Sequence, residues 1–336
     1  YWIFLALLIP GIVVAAYTLN YDTQMRKTIS FNISGPLCLG LASLYTYKRR
    51  ITLKQINKIL LSIGLPIVSC TVYLILYTPS IREVITSTGS NFETSGGFGP
   101  NQVSTTLGLG MFIFFALLMF GKNSKVVTIL NLAIALVISY RGLVTFSRGG
   151  MITGILMLMI LLTVTYLRTN YHGRVKMNYI LIFFAVAIVG IWSYSSIETG
   201  GLIEKRYSNQ DARGRVKPSR FTGREVIAAS EIKFFLANPV FGIGVGKGTE
   251  IRKAETGQLV LSHNEITRTL AEHGSFGILA LLILMFTPLI LYLDNKENVY
   301  LICFVLFWIL TINHAAMRLA APAFIYSLSL LKVDKL

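Results

Sequence analysis

The sequence contains few acidic residues, few histidines and few cysteines. Asp and Glu together number 15 against 31 Lys and Arg, so the formal net charge is +16. The four aspartates are scattered, and no paired carboxylates suggest the divalent-metal site that metal-dependent membrane transferases need. The three cysteines lie in apolar runs without CxxC spacing, which favours helix packing over a zinc or redox site. We therefore expect no metal and no cofactor.

Apolar residues are what the sequence has in excess. Hydrophobic residues make up 54% of the chain and charged residues 14%, and the mean hydropathy is +0.63. Apolar runs of about 20 residues, enough for a helix to cross a bilayer, recur along the chain. The sequence predicts an all-α, polytopic integral membrane protein with about ten transmembrane helices. The predicted spans are 1–19, 29–47, 56–79, 102–120, 126–146, 149–167, 178–196, 275–293, 298–316 and a short one at 319–331.

The charge distribution predicts the orientation of these spans. Short loops rich in Lys and Arg alternate with poorer ones, and the positive-inside rule places the richer set in the cytoplasm. The large loop at 197–264 then lies outside, and its eleven Lys and Arg are exempt from the rule because the loop is long. A phosphorylated substrate or anionic membrane lipid suits this charge better than nucleic acid. The chain opens with Tyr1, and we expect a single membrane domain, 1–336, that lacks its upstream helices.

A helix-start pattern closes the large loop. Ser262 followed by Glu265 resembles a capping box, which predicts that His263 is the first helical residue and that the helix stops at Gly274. There the helix dipole and nearby arginines disfavour imidazolium, so a neutral ring could accept a proton. The alternative is a polar residue in a cap. His273, near the end of the same helix, is expected to be structural.

A second such pattern begins at Thr222 and opens a predicted helix that continues to about Ala237. It puts Arg224 in the first turn, where a cation opposes the helix dipole unless an anion binds there. Arg148 stands in the same way before the span at 149–167. We predict both arginines as anion ligands. The alternatives are a surface cation for Arg224 and a membrane-interface anchor for Arg148.

Three further side chains are candidates for lining a polar cavity. Arg141 precedes Arg148 by seven residues, which on a continuous helix is two turns, roughly 10 Å along one face. An arginine that deep in a span is costly and usually faces a cavity. His314 and Arg318 share a predicted helix face, so they could line the same cavity or form a buried polar pair.

The remaining cations of the region leave their roles open. Arg215 and Arg220 are either second phosphate contacts or solvated loop charge, and the residues alone do not choose. Arg268 has Glu265 three residues before it and Glu272 four residues after it. We expect these three to form an intrahelical set of ion pairs rather than a site.

Five motifs between residues 140 and 280 resemble the O-antigen ligase and polymerase superfamily. Their order and spacing carry the resemblance, and the flanking helices match only as apolar spans. This segment, 140–280, is the expected ligase-like core. The motifs are Thr145–Gly150, Gly223-Arg224, Asn238–Gly244, Ser262–Asn264 and Ala271–Gly277.

The resemblance implies a function. In that family a large periplasmic loop receives a glycan linked to undecaprenyl pyrophosphate and transfers it, without metal or nucleotide, to a sugar hydroxyl. This implies a multi-pass protein of the bacterial inner membrane with its active site facing the periplasm, and inversion at the transferred sugar. By motif match His263 would be the catalytic histidine, with Arg148 and Arg224 as pyrophosphate ligands. Arg215 or Arg220 would be a third.

Several functions within and outside this class stay open. An O-antigen ligase would use lipid A–core as the acceptor, and a repeat-unit polymerase would use another glycan. A protein O-oligosaccharyltransferase would run the same chemistry on a protein. Outside the class, a transporter of lipid-linked sugar would use its arginines only for binding. Transporters often show inverted internal repeats, which this sequence does not.

Overall fold

The computed structural model describes residues 1–20, 23–121, 124–218, 224–257, 260–314 and 320–334. Over these residues the fold is helical, with one two-stranded sheet formed by β1 and β2. In chain order the elements are α1 (Trp2–Thr18), α2 (Met25–Thr46), β1 (Arg50–Thr52), α3 (Leu53–Tyr77), α4 (Ile81–Val84), a 3-10 turn (Glu93–Ser95), α5 (Pro100–Phe120), α6 (Lys125–Leu143), α7 (Arg148–Arg168), α8 (Tyr171–Glu198), α9 (Leu202–Tyr207), α10 (Arg224–Ala237), α11 (Lys247–Thr256), α12 (Glu265–Asp294), α13 (Leu301–Ile312), α14 (Ala320–Leu328) and β2 (Lys332–Asp334).

Each of the ten predicted spans contains a helix, and the prediction of an all-α polytopic membrane protein is confirmed. Among the described residues, six helices are long and apolar enough to cross a membrane, namely α3, α5, α6, α7, α8 and α12. The helices α1 and α13 are apolar but shorter. The count of ten spans and the outward orientation of the large loop therefore stay predictions.

The chain divides into two compact units. Unit 1 comprises residues 1–51 and 221–335, and unit 2 comprises residues 52–220. In unit 1 the buried side chains of Phe4 and Leu8, one turn apart on α1, pack with Trp308 of α13 and Tyr326 of α14. The Tyr326 hydroxyl donates to the carbonyl oxygen of Leu284 at 2.7 Å, so this buried polar atom is satisfied.

In unit 2, α5 is the most enclosed of the six apolar helices, with 78% of its most apolar window buried. It packs against α7 through glycines, since a β-carbon at Gly108 would lie 2.2 Å from the carbonyl oxygen of Gly150. Small residues let two membrane helices bring their backbones together in this way. This contact holds the N-terminal turn of α7, where Arg148 lies, against α5.

The long helix α12 breaks where the sequence predicts a stop. Gly274 has φ 60° and ψ −137°, which is outside the helical region, and the chain then resumes a helix to Asp294. The carbonyl oxygens of Ala271 and Glu272, which the break leaves without helical partners, accept from Ile243 N at 2.8 Å and Gly244 N at 3.2 Å. A β-carbon at Gly274 would lie 2.5 Å from the carbonyl oxygen of Val240, so the loop 238–246 fits only against a glycine here. Two of the motifs named above thus form one packed unit.

Candidate functional site

The turn before α7 in unit 2 is tight and is held by hydrogen bonds of the hydroxyl groups of Ser104 and Ser147. Phe146 has φ +58°, a left-handed backbone conformation that residues other than glycine rarely adopt. The Ser147 hydroxyl donates to Asn101 Oδ1 at 2.8 Å, and Ser104 donates to the carbonyl oxygen of Ser147 at 2.7 Å. Ser147 is the N-cap of α7 but its side chain makes no cap bond. A strained backbone held by neighbours in this way is typical of functional sites.

This turn separates Arg141 from Arg148. The two residues do not lie on one continuous helix, because α6 ends at Leu143 and α7 begins at Arg148, so the spacing of two turns along one helix face does not apply to them. Arg141 is 5% exposed, and its Nη2 donates to the carbonyl oxygens of Leu74 at 2.8 Å and Thr94 at 3.2 Å. It thus ties the end of α3 to the turn at 93–95. A cavity-lining role for Arg141 stays a prediction.

Arg148 is half-buried at the first position of α7 and shares a clamp with Arg206 of α9. Arg148 Nη1 donates to the carbonyl oxygen of Arg206 at 3.3 Å, and Arg206 Nε donates to the carbonyl oxygen of Phe146 at 2.8 Å. Burial, and then the charges of Arg206 and Arg148, hold the pKa of Lys217 below its usual value. We call Arg148, Arg206 and Lys217 the cationic cluster. Three positive charges beside the start of a helix suit an anion such as phosphate.

An apolar cavity of about 310 Å³ lies in the same unit, between α5, α6, α7 and α8. Its lining is aliphatic and aromatic, and Tyr207 forms part of it together with Trp192, whose ring centroid lies 5.1 Å from that of Tyr207. Burial raises the pKa of Tyr207 to about 12, and the charges of Arg148 and Arg206 oppose that rise. Tyr207 therefore belongs both to the apolar cavity and to the surroundings of the cationic cluster.

The two other predicted phosphate contacts lie in or after a hairpin that follows α9. Arg215 is exposed, and its Nε forms a 2.8 Å ion pair with Asp211 Oδ2. Asp211 also accepts from the backbone N–H groups of Arg213 and Arg215 at 2.9 Å each. The backbone bond from Arg215 is the main reason that the pKa of Asp211 lies below its usual value. Arg220 lies outside the described residues.

In unit 1 the structure corrects the predicted start of α12. Asn264, and not Ser262, is the N-cap, since its side chain accepts from Ile266 N at 3.0 Å and Thr267 N at 3.3 Å. His263 therefore precedes the cap and is not the first helical residue. His263 is half-buried and lies directly before the N-terminus of α12.

Ser262 is instead part of a buried network around Glu231 of α10. Glu231 Oε2 accepts from Ser262 Oγ at 3.2 Å and from Thr267 Oγ1 at 2.6 Å, and Glu231 Oε1 pairs with Arg252 Nη1 at 3.2 Å. We call these four residues the Glu231 network. Sequence reasoning missed it, although Glu231 follows Arg224 by seven residues, which places both on one face of a helix.

The predicted ion pairs of α12 are present. Arg268 pairs with both Glu265 and Glu272, and all three side chains are buried. Glu272 Oε1 also accepts a hydrogen bond from Gly246 N at 2.9 Å, so these ion pairs also anchor the loop 238–246. This intrahelical set is confirmed. His273 is 2% exposed, and its ring packs so closely against Gly11 that a β-carbon there would clash with it. This packing fits the expected structural role.

Arg224 begins α10, as predicted, and the helix ends at Ala237. Its positive charge acts on the half-buried ring of His314, which follows α13, so unit 1 brings these two residues near each other. His314 Nδ1 lies 2.7 Å from the carbonyl oxygen of Leu310. Thr222, the expected cap, and Arg318 lie outside the described residues.

In the described part of the chain, no group of three or more His, Cys, Asp and Glu side chains is arranged to hold a metal ion. The acidic side chains of unit 1 that lie near the candidate site, Glu231, Glu265 and Glu272, are bonded to arginines and hydroxyls.

Comparison with known proteins places this arrangement in a family. Residues 133–282 match the Wzy_C family model, described as O-Antigen ligase. That segment includes both the turn before α7 and His263. This segment is therefore similar to the O-antigen ligase superfamily, and the resemblance drawn from the sequence motifs is confirmed. No curated protein matches the chain.

Proposed function

We propose that this protein is a membrane glycosyltransferase of the O-antigen ligase type, acting at the periplasmic face of a bacterial inner membrane. The donor would be a glycan on undecaprenyl pyrophosphate, and the acceptor a sugar hydroxyl of lipid A–core. One observation carries the choice of donor. In unit 2, Tyr207 lines an apolar cavity of about 310 Å³ and also lies in the field of Arg148 and Arg206. An apolar space with a cationic neighbour suits an amphiphile with an anionic head.

In the proposed reaction, His263 accepts the proton of the acceptor hydroxyl. The acceptor oxygen then forms a bond to the anomeric carbon of the donor, and the bond from that carbon to the pyrophosphate oxygen breaks. Attack opposite the leaving group inverts the anomeric centre. The electron pair of the broken bond stays on the pyrophosphate, whose added charge Arg148 and Arg224 would stabilise. Arg215 and Arg220 are weaker candidates for the same role.

The size of each contribution follows from general chemistry. General-base help is worth about 10²–10⁴ in rate. Most of the remaining acceleration must come from positioning and from charge stabilisation. Arginine suits the second task, because its planar fork binds phosphate oxygens in pairs and its charge does not depend on pH.

The function is tested first with purified protein in liposomes that contain the lipid-linked donor and the acceptor. We expect transfer that persists in EDTA, and loss of transfer on chelation that magnesium or manganese restores would contradict a metal-independent mechanism. A protein that binds the donor but releases no undecaprenyl pyrophosphate would be a transporter or carrier instead.

The acceptor is identified in a deletion strain by comparing surface glycolipids with the undecaprenyl-linked pool. Loss of a ligase should leave polymerised glycan on undecaprenyl pyrophosphate and bare lipid A–core at the surface. Loss of a repeat-unit polymerase should leave core that carries a single unit. Normal glycolipid with loss of glycosylated protein would indicate a protein O-oligosaccharyltransferase.

A further inference from the structure

Glu231 is a buried acidic residue, and a buried carboxylate needs polar partners. Its side chain is 2% exposed and lies in the middle of α10, seven residues after Arg224. One carboxylate oxygen binds Arg252 of α11, and the other accepts hydrogen bonds from the hydroxyl groups of Ser262 and Thr267. A single carboxylate therefore links α10, α11, the segment that carries His263, and α12.

The hydroxyl of Ser262 passes this constraint to the neighbouring residue. Ser262 Oγ lies 3.2 Å from the carbonyl oxygen of Asn264 and 3.3 Å from its backbone nitrogen, so contacts to one hydroxyl reach across His263. Thr267 holds the first turn of α12 to the same carboxylate oxygen at 2.6 Å. The backbone on both sides of His263 is thus fixed relative to Glu231.

The same carboxylate orients the helix that carries Arg224. Seven residues amount to about two turns, so Arg224 lies roughly 10 Å from Glu231 along the same face of α10. If the middle of the helix is held by Glu231, its rotation about its own axis is set, and with it the direction of Arg224. Hydrogen bonds to a carboxylate are directional, which makes them better suited to this task than apolar contact.

We propose that Glu231 is a positioning residue for glycan transfer, which sets His263 and Arg224 in their working orientation through the Glu231 network. The inference rests on the function proposed above. Glu231 itself touches neither substrate nor the reacting atoms in this mechanism. Its loss should lower the rate of the chemical step per folded molecule, and not only the amount of folded protein.

A pair of threonines on α12 provides a matched test. Thr267 and Thr269 are both buried, and each hydroxyl oxygen lies within hydrogen-bond distance of a carbonyl oxygen of the preceding turn. Thr267 also bonds Glu231, whereas the hydroxyl bond shown for Thr269 is that backbone bond. We compare Thr267→Val with Thr269→Val in the liposome assay, with kcat and donor KM normalised to the folded fraction. Thr267→Val should lower kcat several-fold and Thr269→Val should leave it unchanged.

Glu231→Gln removes the charge while it keeps the shape. We expect kcat to fall about 10- to 100-fold, the size of a misplacement of roughly 1 Å, with a rise in donor KM because Arg224 is also released. Equal kcat per folded molecule in the two threonine variants, together with normal kcat in Glu231→Gln, would overturn the positioning role. Wild-type protein that transfers no glycan would instead overturn the proposed function.

A distance measurement tests the positioning independently of activity. Spin labels at Val226 on α10 and at Leu261, two residues before His263, report the geometry that Glu231 is proposed to hold, after Cys38, Cys70 and Cys303 are replaced. The wild-type distance distribution should be narrow, and Glu231→Gln should broaden it. An unchanged distribution would show that other contacts fix the segment, which also overturns the inference.

Discussion

The arginines that lie buried or half-buried near the candidate site residues bind different partners in the two units, whereas the arginines of the unit 2 ion pairs, Arg82 and Arg215, are exposed. In unit 1, Arg252 and Arg268 are buried and bind the carboxylates of Glu231, Glu265 and Glu272. In unit 2, the guanidinium groups of Arg141, Arg148 and Arg206 donate to backbone carbonyl oxygens. A carboxylate cancels the charge of its arginine, whereas a carbonyl satisfies a donor and carries no net charge.

This difference separates two tasks that a metal-free transferase must perform. Ion pairs of the kind seen in unit 1 produce a rigid, nearly neutral framework, which suits the placement of a proton acceptor such as His263. Bonds to carbonyl oxygens fix the positions of Arg148 and Arg206, and guanidinium groups in fixed positions suit the proposed pyrophosphate of the donor. The predictions below test whether the two tasks divide in this way.

The largest effect is expected at His263. His263→Ala should lower kcat by about 10²–10⁴, the usual value of general-base help, while the KM of the donor changes little. His172→Ala on the exposed start of α8 is the matched control and should transfer glycan normally. A His263→Ala protein with the wild-type rate would exclude a proton-accepting role.

The second prediction compares the stability of the two kinds of arginine. Arg268→Met leaves two buried carboxylates without their cation and should cost about 3–5 kcal/mol of unfolding free energy. Arg141→Met leaves neutral carbonyl oxygens unsatisfied and should cost about 1–3 kcal/mol. Denaturant unfolding of the detergent-solubilised variants measures both. Equal losses would show that charge compensation does not distinguish the two units.

The third prediction concerns donor binding by the cationic cluster. Arg148→Gln should raise the donor KM about 10- to 100-fold, because a hydrogen bond between charged groups is worth about 1.5–3 kcal/mol. Arg148→Lys should rescue it only in part, since a point charge loses the paired geometry. Arg82→Gln is the control, because its 3.0 Å pair with Glu198 is exposed and should contribute little. An unchanged KM in Arg148→Gln would remove Arg148 from the donor site.

The sequence predicted the elements that local composition determines. Apolar runs predicted the helices, and the acidic neighbours of Arg268 predicted its ion pairs, because both signals lie within a few residues. Gly274 predicted the break of α12 for the same reason. These features need no knowledge of distant parts of the chain.

The sequence did not predict local structures that depend on a residue far away in the chain. Ser262 and Asn264 are both good caps, and Asn264 became the cap while the hydroxyl of Ser262 bonds a carboxylate 31 residues earlier in the chain. The spacing of Arg141 and Arg148 leaves their relation open, and the turn between them depends on Phe146, whose left-handed backbone is supported by Arg206, 60 residues later. Arg206 itself could be noticed only as one member of a basic run. Long-range hydrogen bonds of this kind have no local sequence signal.

The smallest expected effect is a change in the pKa of Lys217, and it tests whether the residues of the cationic cluster act on one another. Burial lowers this pKa first, and the charges of Arg206 and Arg148 lower it further. Arg206→Gln should therefore raise the pKa of Lys217, as should added pyrophosphate, whereas Arg213→Gln in the exposed hairpin should not. The pH dependence of amine labelling at Lys217, followed by mass spectrometry, measures the change.

The sign of the accompanying stability effect follows from the same pKa. The unfolded chain binds the Lys217 proton more tightly than the folded protein does, so folding stability rises as the pH increases from the lowered folded value to the ordinary lysine value. Near neutral pH the lysine is charged in both states and contributes no slope. Because Arg206→Gln should raise the folded pKa of Lys217, it should narrow the pH range over which stability rises. If the pKa of Lys217 is the same in the wild type and in Arg206→Gln, burial alone sets it, and the three cations do not act on one another as an anion site requires.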